Sequence, residues 1–152
     1  EKIREKARKD AADHVRRAES SSDMRRKQAV LAAKQEVIGR VLEAAYSRVM
    51  ELSPAEYFDM LEKLLREYAL PEKGEICFSA RDLDRMPEGF TGKIITIAAE
   101  KGGSLTLSGE TRRIDGGFIL IYGGVEENCT IKAVFDSKRD ELSDRVNRLL
   151  FG

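Results

Sequence analysis

The chain has 152 residues, enough for one ordinary domain or for a smaller domain with a long extension, and its 27 Lys and Arg balance its 27 Asp and Glu. That neutrality gives no long-range attraction to nucleic acid or anionic lipid. Charged residues reach 36%, aromatics only 7% and Trp is absent, so much solvated helix surface and a modest core are expected.

Residues 1 to about 27 are almost wholly charged, Ala or Ser, with no Gly, Pro or aromatic, a composition that only a helix accommodates. Glu1 already stands in helical register and is not Met, which suggests a start inside a longer helix. From Ile3 a seam runs through Ala7, Ala11, His14, Ala18, Ser22, Arg25, Ala29 and Ala33, in steps of 4, 4 and 3. Eleven residues in three turns make about 3.67 per turn, slightly more than the helix's own 3.6, so this seam favours a right-handed supercoil with another chain. Its small side chains allow close approach but bury little apolar area. A solvated single helix, rich in Ala for propensity alone, is the competing reading, and Ser20-Ser21-Ser22 weakens the helix locally.

From Val30 the pattern widens to Val30, Val37, Ile38, Val41, Leu42, Ala45, Tyr46 and Val49, the stripe of a helix lying on a globular core. Unbroken to about Leu52, the helix would span roughly 75 Å at about 1.5 Å per residue. This divides the chain into a stalk helix, 1–52, with a coiled-coil part of about 1–33, and a head domain, 53–152.

Ser53-Pro54-Ala55-Glu56 predicts a second helix, with Ser as N-cap, Pro in the first turn and Glu placed for a capping box. Its stripe is Tyr57, Phe58, Leu61, Leu64, Leu65 and Tyr68, and Pro71 stops it. Strand-like pieces follow at Glu75 to Ser79, Lys93 to Ala98, Leu105 to Leu107, Gly117 to Tyr122 and Val125 to Ile131, with Gly102-Gly103, Gly116-Gly117 and Gly123-Gly124 as turns. A short helix fits Ala80 to Arg85. A last amphipathic helix runs from about Lys132 to Leu150 on Phe135, Leu142, Val146, Leu149 and Leu150. Helices thus bracket a small, largely antiparallel sheet, and the class is α+β.

Catalytic patterns are scarce. His14 is the only histidine and lies in the charged helix, and no Gly-x-Ser-x-Gly elbow or phosphate-loop spacing occurs. Cys77 and Cys129 with one distant His do not make a structural metal site, so two reduced, partly buried thiols are expected, a disulfide being the alternative. Asp82/Asp84 and Glu126-Glu127 read as surface charges. No cofactor is implied. The longest apolar run, Phe118 to Tyr122, is far short of the roughly 20 residues that span a bilayer. Lys2, Arg4, Lys6, Arg8, Lys9, Arg16, Arg17, Arg25, Arg26 and Lys27 bias the first helix toward positive charge. They are interspersed with acids and carry no aromatics for base stacking.

Several strings resemble the E subunit of archaeal-type and vacuolar-type rotary ATPases: Arg40-Val41-Leu42-Glu43-Ala44-Ala45, Gly116-Gly117-Phe118-Ile119-Leu120 with Tyr122-Gly123, Asn128 before Phe135 and Arg139, and the closing Leu149-Leu150-Phe151-Gly152. The resemblance covers nearly the whole chain. It implies a non-catalytic peripheral-stalk subunit, cytoplasmic and peripheral to the membrane without inserting in it. Its first helix would pair with a helical partner subunit in a right-handed coiled coil, and its C-terminal domain would rest on a nucleotide-binding subunit of the catalytic head. Relative to that family, much of the N-terminal helix is missing. A stator-like scaffold of a flagellar or secretion ATPase, and a nucleic-acid-associated coiled-coil protein, are the other readings.

Overall fold

The computed structural model describes residues 2–152, and the register expected for Glu1 lies outside them. Helix α1 is continuous over Lys2–Met50 and passes through Ser20-Ser21-Ser22 without a break. Its length is roughly 73 Å at about 1.5 Å per residue. Between Lys2 and Ala33 every residue except the half-buried Asp13 is exposed.

Helix α2 (Pro54–Tyr68) starts as its first turn dictates, the Ser53 hydroxyl accepting from the Glu56 amide at 3.4 Å. It buries Tyr57, Phe58, Leu61 and Leu65, each worth about 1.5–3 kcal/mol of transfer free energy when fully covered. The helix ends before Pro71 because the residue ahead of a proline is pushed out of helical geometry, and Ala69 is already extended.

Strand β1 (Lys73–Cys77) leads through α3 (Ala80–Arg85) and α4 (Phe90–Glu100) into β2 (Ser104–Leu107), which pairs with β1 in parallel. Strands β3 (Gly117–Tyr122) and β4 (Val125–Thr130) form a hairpin on Gly123-Gly124, and the sheet order is β2-β1-β3-β4. Two of its three pairings are antiparallel, and the α+β expectation stands. The segment Lys93 to Ala98, read from its isoleucines as a strand, is helical. Phe90, Ile94, Ile97 and Ala98 are the buried positions, at the spacing of one helix face, while Ile95 faces solvent. A parallel pair also needs a long crossover, and α3 with α4 supply it.

The last predicted helix is two helices, α5 (Ile131–Ser137), capped by the Thr130 hydroxyl, and α6 (Arg139–Phe151). They meet at Lys138, where the Ser137 hydroxyl donates to the Val134 carbonyl at 2.9 Å and competes for a helical acceptor. Phe135, Leu142 and Val146 are half-buried, whereas Leu149 and Leu150 are exposed, against expectation.

One apolar core joins α2 and α4 to Ile76, Leu105, Phe118, Leu120, Tyr122, Cys129 and Ile131, so the helices cover one face of the sheet. Helix α6 runs back antiparallel along α1, with Leu142 near Leu42 and Tyr46 and the Phe151 ring under the Lys34 ammonium at 5.1 Å.

Candidate partner-binding surface

The eight seam residues Ile3, Ala7, Ala11, His14, Ala18, Ser22, Arg25 and Ala29 all lie on exposed helix, with Ile3 at 84% exposure. Flanking charges pair locally, Arg16 with Asp13 at 2.6 Å and, further on, Arg40 with Glu36 at 2.7 Å. Such pairs steady an exposed helix by only a few tenths of a kcal/mol each.

Beyond residue 33 the wide stripe divides. Ile38 is buried at 3% exposure, and Leu42, Ala45, Tyr46 and Val49 are half-buried against the domain. Val30, Val37 and Val41, expected on the core, remain exposed. They sit about 60–100° around the helix from Ile38 at 100° per residue, too far to reach the surface that α6 and α5 cover. With Ala33 and Ala44 they form a row in steps of 3, 4, 4 and 3, the eleven-residue spacing again.

Where α1 meets α5 and α6 a cleft of about 540 Å³ opens, floored by Tyr46, Phe135 and Leu142 and rimmed by Glu43, Asp115, Asp136, Lys132 and Arg139. The Tyr46 and Phe135 rings meet edge to face at 5.5 Å. Burial, then the carboxylates of Asp115 and Asp136, raise the Tyr46 phenol above its ordinary value. Both signs of charge line this rim, and among the described residues no group of three or more His, Cys, Asp or Glu is placed to hold a metal ion.

Asp82, read as a surface charge, is instead 1% exposed. Its carboxylate accepts from the Tyr57 hydroxyl and from Arg85, whose guanidinium stacks 4.4 Å over the Tyr57 ring. The Ser79 hydroxyl caps α3 by accepting from the Asp82 amide at 3.1 Å, which fixes where Asp82 stands in the first turn, while Tyr57 and Arg85 are what hold its carboxylate inside. Tyr57 also accepts from the Gly117 amide at 2.8 Å. Gly117 has φ 84°, and a Cβ there would sit 2.5 Å from the Cys129 carbonyl. The Gly-Gly-Phe string is thus where β3 is pressed against the backbone at the end of β4 while its Gly117 amide reaches Tyr57 of α2.

Residues 1–151 match the family model described as ATP synthase (E/31 kDa) subunit. The chain belongs to this family. It is 34% identical over 145 residues to the E subunit of a V-type ATP synthase from Clostridium botulinum strain Hall, covering 94% of this chain and 73% of the relative. The E subunit of a V-type proton ATPase from strain Loch Maree is 31% identical over 144 residues, covering 93% and 72%. Another from Thermoanaerobacter pseudethanolicus is 32% identical over 123 residues, covering 80% and 62%. The resemblance drawn from local strings therefore holds over almost the full chain. Among the described residues no helix is long and apolar enough to cross a membrane.

Proposed function

We propose that the chain is a non-catalytic peripheral-stalk subunit of a V-type or archaeal-type ATP synthase. Residues 1–33 pair with a helical partner subunit, residues 53–152 rest against a nucleotide-binding subunit of the catalytic head, and the pair resists the torque of rotation. The observation that carries this reading is the exposed seam on a helix that runs far past its own domain. A helix with small residues on one edge and no apolar cover is marginal alone, and a partner supplies the missing burial.

The row Ala33, Val37, Val41 and Ala44 supports a longer contact than the seam to residue 33, because it keeps the same spacing and α6 occupies a different side of α1. ATP chemistry and ion movement belong to other subunits in this reading, and the chain is cytoplasmic, held at the membrane only through its complex. The test is to mix the protein with a candidate helical stalk subunit from the same organism, at micromolar concentration, and measure mass by sedimentation and helicity by circular dichroism. A 1:1 heterodimer with added helicity is expected. Two species sedimenting independently would refute the pairing.

A further inference from the structure

The helices cover only one face of the sheet, yet residues on the other face are also hidden. Cys77 and Ile119, cross-strand partners on β1 and β3, are 1% and 8% exposed and lie outside the apolar core. Alternation along the strands explains why: Ile76, Phe118 and Leu120 point to the helices, so Cys77, Ile119 and Ile121 point away.

Residues 108–116, the segment between β2 and β3, run beside them, and the Arg112 side chain crosses this face to Glu126, the cross-strand partner of Ile121. The Ser108 amide donates to the Ile76 carbonyl at 2.9 Å and the Arg112 amide to the Phe78 carbonyl at 3.0 Å, which lays this segment along β1. The Arg112 guanidinium lies beside the Cys77 thiol and then reaches Glu126 on β4, across β3. Its far end is fixed, since Gly116 is buried and its carbonyl accepts from the Ile131 amide at 3.1 Å, but little else holds the stretch before it. Its one large apolar side chain, Ile114, is half-buried, Thr111 and Arg113 are exposed or nearly so, and the Arg112–Glu126 pair is itself 36% and 51% exposed. A segment with few buried apolar contacts and a solvated ion pair opens at a free energy well below that of the whole domain.

We propose that residues 108–116 are a displaceable strap, latched by Arg112 on Glu126, whose opening uncovers a second apolar face of the sheet at Cys77, Ile119 and Ile121. This inference is independent of what α1 binds. The molecule also carries its own control, because Cys129 is equally buried but points into the core beside Phe118, where only disruption of the domain reaches it.

The test is pulsed alkylation of the native, full chain with N-ethylmaleimide, each cysteine being quantified by peptide mass spectrometry. Cys77 is expected to react at least about tenfold faster than Cys129, as a local opening requires. Glu126→Gln, which keeps the Arg112 stem in place, is expected to speed Cys77 roughly two- to fivefold and leave Cys129 and the melting temperature unchanged, in line with an exposed ion pair. Arg112→Ala should do so by at least as much. Equal labelling of the two cysteines in the native protein, or variants that speed both together, would overturn the strap, because exposure would then come from unfolding of the domain.

Discussion

The Tyr57 hydroxyl donates to the Asp82 carboxylate at 2.7 Å while accepting from the Gly117 amide at 2.8 Å, so one oxygen ties α2, α3 and β3 together inside the core. Among the described residues no buried side-chain polar atom is left unmatched, and this oxygen satisfies two buried groups at once. Tyr57→Phe keeps the ring but orphans the Gly117 donor and one bond to Asp82. A loss of about 2–4 kcal/mol is expected by denaturant titration, given roughly 1–3 kcal/mol for each unsatisfied buried group. A change below about 0.5 kcal/mol would show that the network contributes nothing.

Two glycines should respond to alanine with opposite signs. Gly117→Ala places a Cβ 2.5 Å from a carbonyl oxygen at positive φ and should lower stability by more than about 2 kcal/mol. Gly92 lies inside α4, and a Cβ added there would meet nothing within 4 Å, so Gly92→Ala should raise stability by about 0.5–1 kcal/mol. Thermal melts of the two variants decide the matter.

Adjacent residues of α1 should separate folding from pairing. Ile38→Asp buries a charge against the domain and should lower its melting temperature by many degrees, or unfold it. Val37→Asp with Val41→Asp should leave the melt of the isolated chain nearly unchanged and weaken the heterodimer at least about tenfold, since two apolar contacts become desolvated charges. Ala11→Glu and Ala18→Glu should act like the valine pair. Wild-type affinity in the valine variant would confine the partner to the first 33 residues.

Burial holds the Cys129 thiol up at about 12, with Glu127 adding to the shift. A thiol whose folded value lies above its unfolded one stays neutral in the native state while the unfolded chain ionises. The stability it contributes is therefore complete below about pH 9 and is lost as pH rises toward about 12. Between about pH 9 and 10 the decline from this group should approach roughly 1.4 kcal/mol per unit, one proton's worth. Burial also raises the Tyr57 phenol, so the fall should steepen above about pH 10. Cys129→Ala should remove most of the slope in that first window in urea titrations; an unchanged slope would assign it to other groups.

Where local spacing decides structure, the residues alone were sufficient. The absence of Gly and Pro from residues 1–27 makes α1, Ser53-Pro54 starts α2, and Gly117 to Tyr122 with Val125 onward makes the β3–β4 hairpin, because caps, turns and periodicity act over a few residues. The family strings are legible in the same way, as short runs of residues. Tertiary packing decided the rest. The run Lys93 to Ala98 has β-branched residues suited to either state, and it became helix because that conformation turns Ile94, Ile97 and Ala98 together onto the core. Asp82 could be placed inside only once Tyr57 and Arg85 had been brought to it from elsewhere in the chain and around its own turn. Likewise Val37 and Ile38 are neighbours of similar hydrophobicity, and which of them is buried depends on the side of α1 where α5 and α6 come to rest, a contact made about a hundred residues later in the chain.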